Sequence, residues 1–208
     1  MRPLFIVIEG IDGSGGTTQV GLLTEWLRAR GAREVQRTAE PSSGPVGRFI
    51  REALTLGSSN ARLGDAVLPY LFAADRRDHL DREVVPALQR GAVVVSDRYY
   101  HSSLAYQSAA IGFAAVAELN ATFRRPDLTL VLELSPEVCL ARVQARGGAP
   151  ERFEALERLR DVTDAYSAVV VHCRSRGERV VRLDASGSVA EVHALVLAEV
   201  ERLFAEQG

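Results

Sequence analysis

The sequence predicts an α/β fold around a mainly parallel sheet, and three observations carry that expectation. Short apolar runs alternate with segments of helical periodicity, the order expected of βα units. Some runs are apolar without interruption, as in Ala92-Val93-Val94-Val95, which suits a central strand covered on both faces. The first run opens into a glycine-rich loop followed at once by a helical pattern, where a phosphate-binding loop belongs.

Residues 4–8 read as a buried strand. Residues 17–30 read as a helix, with Val20, Leu23 and Leu27 at helical spacing and Gly31 as its stop. A short second strand is expected at 34–38, a turn-rich loop at 41–47, and a helix over 46–56 before a Gly/Ser/Asn loop. Residues 65–90 read as one long helix with Pro69 and Pro86 near its ends, and 92–96 as the third strand. Helical segments around 101–110 and 113–123 lead to a fourth strand at 128–134. Pro136 starts a helix ending near Gly147-Gly148, and 151–174 is helical again. A fifth strand at 180–183 and a helix at 189–204 complete the pattern. With no internal repeat, low-complexity linker or boundary, one domain over 1–208 is expected. Residues 146–152 (RGGAPER) read as a mobile lid, because two glycines and a proline interrupt helical sequence.

Composition narrows the function classes. The 208 residues are 47% hydrophobic and 25% charged, enough apolar material for a sizeable core. A net charge of −2 gives no global field toward nucleic acid or an anionic membrane. No apolar stretch is long enough to span a bilayer, and Met1-Arg2-Pro3 runs straight into a strand without a signal-peptide pattern. A cytoplasmic location is therefore expected. Cys139 and Cys173 form no metal or disulfide pattern and read as reduced core thiols. All 25 basic residues are arginine.

Four clusters carry chemistry. Gly10-Ile11-Asp12-Gly13-Ser14-Gly15-Gly16-Thr17-Thr18 sits between strand and helix. Its glycines let backbone N–H groups turn toward an anion, and the helix points its positive end at the same place. The pattern G-x-x-x-x-G-K-[ST] is met except that Gly16 holds the lysine position; the Thr17 hydroxyl suits Mg2+. Asp97-Arg98-Tyr99 follows the third strand. An acid there suits Mg2+ and an arginine suits a phosphoryl group, although a plain surface ion pair accounts for this tripeptide equally well. Phe72 and Arg76 are four apart on one helix face, so ring and guanidinium can stack on a base and bond its edge; a core Phe beside a solvated Arg is the simpler alternative. Arg146 and Arg152 flank the lid, where arginines can close over a γ-phosphate or merely form a solvated basic loop.

Together these residues resemble the thymidylate kinase family, over nearly the whole chain. FIVIEGIDGSG-GTTQ resembles its phosphate loop. Glu40-Pro41 resembles its Glu-Pro loop, with Ala39 where an arginine often precedes it. LFAADR (71–76) resembles the base-stacking segment, and the long run Asp97 to Gln107 the DR[YH]xxSxxAYQ signature. Arg125-Pro126-Asp127 resembles the approach to the fourth strand. RGGAPERFE resembles the arginine-bearing lid of the bacterial branch, and Gly13 agrees with that branch. The resemblance implies a P-loop NTPase-like three-layer sandwich with a five-stranded parallel sheet flanked by helices, usually a homodimer. It implies transfer of the γ-phosphoryl of ATP to dTMP with Mg2+. Phe72 would stack on thymine, Arg76 bond its edge, Ser103 and Gln107 lie near the base, and Tyr106 pack against the deoxyribose. Arg98 would grip the acceptor phosphate, Asp12 approach the sugar or that phosphate, Glu40 line the substrate site, and Thr17 and Asp97 hold Mg2+. Arg98, Asp12, Arg146 and Arg152 are the expected catalytic set.

Gly16 is the departure. A unit charge about 4 Å away at an effective dielectric near 20 is worth roughly 4 kcal/mol, or about three decades of rate. Either another arginine, Arg146 or Arg152, supplies that charge, or the chain binds nucleotides and transfers feebly or not at all in a binding or regulatory role. A monophosphate kinase with another base preference is a further alternative. A GTPase switch is disfavoured, because a chain without lysine has no Asn-Lys-x-Asp motif.

Overall fold

The computed structural model describes residues 2–55, 63–145, 147 and 152–206, with the backbone alone for 152–154. Five strands form one parallel sheet: β1 (Leu4–Gly10), β2 (Val35–Ala39), β3 (Val93–Asp97), β4 (Leu128–Glu133) and β5 (Val180–Asp184). The order β2-β3-β1-β4-β5 puts β1 at the centre, and all seven of its residues are buried. That burial is what its uninterrupted apolar sequence predicts.

Helices connect the strands. They are α1 (Gly16–Ala29), α2 (Pro45–Thr55), α3 (Leu68–His79), α4 (Val85–Gln89), α5 (Tyr100–Ile111), α6 (Phe113–Asn120), α7 (Pro136–Ala145), α8 (Arg152–Ser175) and α9 (Val189–Ala205). The core runs between sheet and helices through Leu23 and Leu27 of α1, Leu104 of α5, Val169 of α8 and Val196 and Val200 of α9. α9 begins with a capping box, in which Ser188 and Glu191 bond each other's backbone N–H. Among the described residues no helix is long and apolar enough to cross a membrane.

The expected helix over 65–90 is subdivided. A 3-10 turn (Asp65–Val67) leads into α3, and a π-helical turn (Leu80–Val84) separates α3 from α4. Pro86 supplies the reason: it has no N–H, and its ring would clash with the carbonyl four residues back. The wider turn before it absorbs the mismatch.

Register places the chemistry. Asp97 is level with Ile8 on β1 and with Ala39 on β2. The carboxyl ends of β1, β2 and β3 therefore converge at one point, beside the loop that joins β1 to α1, where ligands sit in open α/β sheets.

Candidate active site

The loop after β1 is built by its glycines. Gly10, Gly13 and Gly15 have φ of 152°, 94° and 103°, a region that favours glycine. At Gly13 a side chain would also run into the Cys139 carbonyl on α7. Ser14 N–H donates to Ile11 O at 3.0 Å, and Gly15 caps α1 without a side-chain acceptor. The first-turn N–H groups and positive end of α1 thus face the loop's mouth, an arrangement suited to an anion.

Gly16 is unlike these glycines. Its φ lies outside the left-handed region, and a Cβ there would meet only the Asp97 carboxylate, 3.1 Å away. The backbone does not require glycine, and a side chain would fit only if the Asp97 carboxylate gave way by a few tenths of an ångström. A cradle of about 150 Å³ opens here, lined by Asp12, Gly16, Thr17, Ala39, Asp97 and Arg98 among others. Inside it Thr17 Oγ1 donates to Asp97 Oδ2 at 2.5 Å. Burial lifts the Asp97 carboxyl above its ordinary value, against the Thr17 hydrogen bond and the Arg98 charge. A hydroxyl and a carboxylate converging beside a phosphate cradle are hard oxygen donors, and they fit Mg2+.

Arg98 is held by strain and by bonds. Its φ is 72°, a conformation that costs a non-glycine residue energy and clusters at functional sites. Its N–H donates to Ile8 O at 2.9 Å, and its carbonyl accepts from Ser96 Oγ at 2.8 Å. The guanidinium then reaches Asp12 at 2.8 Å, Ser102 at 3.0 Å and the Tyr106 hydroxyl at 3.3 Å. Arg98 therefore pairs with Asp12, not with adjacent Asp97. Burial opposes its charge, but Tyr106, Tyr166, Asp12 and Glu9 outweigh that and keep it protonated.

Beneath it lies a network that sequence reasoning missed. Glu9, buried at the end of β1, accepts from Tyr99 N–H at 2.7 Å, Ser102 Oγ at 2.7 Å and the Tyr166 hydroxyl at 2.8 Å. It fixes the start of α5 and the middle of α8 to the loop. His101 lies between Glu9 and Glu178, 3.6 and 3.5 Å away. Burial would raise the Glu9 carboxyl, yet His101 and Arg98 hold it below its ordinary value. Burial would lower His101, yet Cys173, Glu178 and Glu9 raise it well above.

Beside the cradle is a larger cavity of about 670 Å³, lined by Asp12, Glu40, Phe72, Arg76, Arg98, Ser103, Tyr106 and Gln107. Each of these had been singled out in the sequence. Arg76 is buried, with Nε donating to Glu40 at 2.9 Å, Nη2 to Ser103 at 3.0 Å and Nη1 to Asn120. The solvated-arginine alternative for Arg76 is thus excluded. Phe72 sits one turn earlier, half-buried. Gln107 Oε1 is buried without a hydrogen-bond partner among the described residues. Asp75 anchors the Glu40–Pro41 loop, accepting from Ser42 N–H at 2.7 Å and Ser42 Oγ at 2.6 Å. Leu140, Val143, Leu159 and Val162 of α7 and α8 close the far wall.

On the other side of the loop a third cavity, about 360 Å³, is lined by Ser14, Gly15, Thr18, Arg142, Val189 and Val192. Arg142 Nη1 lies 3.5 Å from Gly13 O. Asn120 and Arg142 carry no recognisable signature of their own, and Asp75 lies inside LFAADR (71–76) without a role assigned to it from sequence. Arg146 lies outside the described residues, and of Arg152 only the backbone at the start of α8 is described.

Two kinds of similarity bear on this geometry. A family model described as thymidylate kinase matches residues 8–196. The chain is 42% identical over 200 residues to a probable thymidylate kinase of Pyrobaculum aerophilum, covering 96% of this chain and 97% of that protein. It is 39% identical to a probable thymidylate kinase of Pyrococcus abyssi, covering 97% of each chain. It is also 39% identical to a thymidylate kinase of Xanthomonas oryzae pv. oryzae, covering 99% of this chain and 88% of that one.

Proposed function

The chain belongs to the thymidylate kinase family, and from that premise we propose that it moves the γ-phosphoryl of ATP to the 5′-phosphate of thymidylate. The observation that carries this reading is the 670 Å³ cavity, which joins a base-sized site at Phe72, Arg76 and Gln107 to a phosphate clamp at Arg98. Its polar atoms suit thymine. Arg76 has five N–H donors, more than Glu40, Asn120 and Ser103 take up, so it can donate to O4. The unpaired Gln107 Oε1 can accept from N3–H. Cytosine offers an amino group at C4, from which the Arg76 guanidinium cannot accept, so that contact fails and leaves buried donors facing each other. Tyr106 borders the sugar in this reading, and Phe72 stacks on the base.

The chemistry asks for position and charge. An oxygen of the acceptor phosphate attacks the γ-phosphorus. The bond to the β–γ bridging oxygen breaks, and ADP leaves with that electron pair. The acceptor oxygen is already ionised at neutral pH, so no base is needed. Arg98, with Asp12 orienting it, holds the acceptor phosphate. The α1 N-terminus and residues 10–18 hold the donor phosphates, and the third cavity takes the donor base. Thr17 and Asp97 would hold Mg2+, which supplies charge neutralisation when bound. In this reading Gly16 stands at the phosphate-loop lysine position, and Arg146 and Arg152 belong to a lid of the bacterial type over a single kinase domain. A cytoplasmic homodimer completes the proposal; Val67 and Tyr70, exposed just before and within α3, offer apolar surface for a second copy. Gly16 also favours a second reading, a nucleotide-binding protein with feeble transfer.

Binding can be tested apart from turnover. At 100-fold above its dissociation constant a ligand adds about 2.7 kcal/mol of stability. Thymidylate and Mg2+-ATP should each raise the melting temperature, and cytidylate should raise it less than thymidylate. A protein that melts at the same temperature with all three is not a thymidylate kinase.

A further inference from the structure

Building on the kinase reading, we infer that Arg37 of β2 supplies the positive charge that the phosphate loop lacks at Gly16. Two departures from the usual pattern, Gly16 and Ala39, line the same 150 Å³ cradle. Each leaves that wall without a long side chain, and both border the Thr17–Asp97 pair. Arg37 lies on the same edge. Residues 37 and 39 share a face of β2, because side chains alternate along a strand. Two residues of strand span about 6.6 Å, within the reach of an arginine side chain.

Arg37 is also held lightly. It is exposed, and its guanidinium rests against the first turns of α1. Nη2 lies 3.5 Å from Thr17 O, at the limit of a hydrogen bond, and Nη1 lies 3.6 Å from where a Gly21 Cβ would be. Among the described residues no carboxylate pairs with it. Its neighbours in the cradle direction are Thr17 and Asp97, and its charge already acts on Asp97. A phosphoryl group arriving at the α1 N-terminus offers Arg37 a far stronger partner than one distant carbonyl. Ala39 leaves the path between them open.

Among the described residues, the other arginines near the nucleotide cavities face elsewhere. Arg142 lies behind the loop against Gly13 O. Arg158 borders the acceptor cavity on α8. Arg48 and Arg51 donate to the carbonyls of Ser43 and Pro41. Arg98 is occupied by Asp12, Ser102 and Tyr106.

The test is a pair of variants and their combination, assayed with ATP, Mg2+ and thymidylate. Arg37→Gln should lower kcat about ten- to a hundredfold while the KM for thymidylate moves less than about threefold. Arg37→Lys, which keeps the charge, should retain most of the rate. Gly16→Lys placed in the Arg37→Gln chain should restore most of the loss, a gain about tenfold larger than it gives the native chain. Melting temperatures within a few degrees of native would exclude misfolding as the cause. A native kinase indifferent to Arg37→Gln, or one in which Gly16→Lys multiplies both rates equally, overturns this inference alone. A native chain with no transfer to thymidylate overturns the kinase reading and this inference with it.

Discussion

The acceptor cavity and the phosphate cradle adjoin each other and are built on opposite principles. In the cavity the polar groups around Arg76 are buried and held by side-chain partners. Arg76 is locked by Glu40, Ser103 and Asn120, Glu40 is further met by His79 at 3.2 Å, and the loop bearing Glu40 is pinned by Asp75. In the cradle the frame is backbone: three glycines of positive φ, a helix N-terminus and one hydroxyl–carboxylate pair. Among the described residues its only lining cation is Arg98. On the proposed reading, base recognition is preorganised in the fold, while part of the phosphate charge comes from side chains that move in. A truncation in the cavity should damage binding or stability; a truncation at the cradle should damage rate.

The largest effect should fall where the two regions meet. Arg98→Ala should reduce kcat/KM by roughly two decades or more, about 3 kcal/mol for a lost charge-assisted clamp, with the fold intact by circular dichroism. Unchanged kinetics would return Arg98 to a structural pair with Asp12.

The cavity side can be probed through its anchor. Asp75 is fully buried and accepts two bonds from Ser42, so Asp75→Ala should cost about 2–3 kcal/mol of stability by leaving a buried N–H and hydroxyl unpaired. Denaturant unfolding at native stability would show that the Glu40 loop holds itself. A smaller effect is expected at Phe72. Losing a ring that stacks on a base costs about 1–3 kcal/mol, so Phe72→Ala should raise the KM for thymidylate by around tenfold and change kcat much less. A fall in kcat alone would blur the distinction between cavity and cradle.

The smallest expected effect concerns the ionic network below both regions. His101 is raised by Glu9, Glu178 and Cys173, so its folded value exceeds its unfolded value near 6.5. Its stabilisation is fully present below that unfolded value and is lost as pH rises through the folded one. Glu9 is lowered, so its stabilisation is present above the ordinary glutamate value and is lost as pH falls through the folded one. His101→Gln should therefore cost more stability at pH 6 than at pH 10. Equal losses at the two pH values would show that His101 contributes packing alone.

How far the sequence revealed these regions follows the same division. The cradle was legible because glycine spacing between a strand and a helix reports backbone geometry directly, and β1 and β3 were legible as apolar runs, while β2 and β5 were read from short, partly polar segments between helices. The Asp97–Gln107 run placed Arg98, Ser103, Tyr106 and Gln107 in the cavity through its resemblance, and all four line it. The partners that fix those groups were not legible. Asn120 meets Arg76 across 44 positions, and Glu9 meets Tyr166 across 157; no local pattern encodes such pairs. The ion pair Asp97–Arg98 suggested by adjacency gives way to Asp12–Arg98 and Thr17–Asp97, partners brought in from the loop after β1 and the start of α1. The π-helical turn was concealed because Pro86 looked like an ordinary helix end.

The account rests on what the acceptor cavity selects, and turnover by the native chain reads that directly. ATP and Mg2+ would be supplied with thymidylate, cytidylate, guanylate and the ribose analogue of thymidylate in parallel, and the diphosphate products measured by chromatography. Thymidine diphosphate should be the preferred product, with kcat/KM highest for thymidylate and sharply lower for cytidylate and guanylate. Equal turnover of all four acceptors, or no thymidine diphosphate at all, would contradict it.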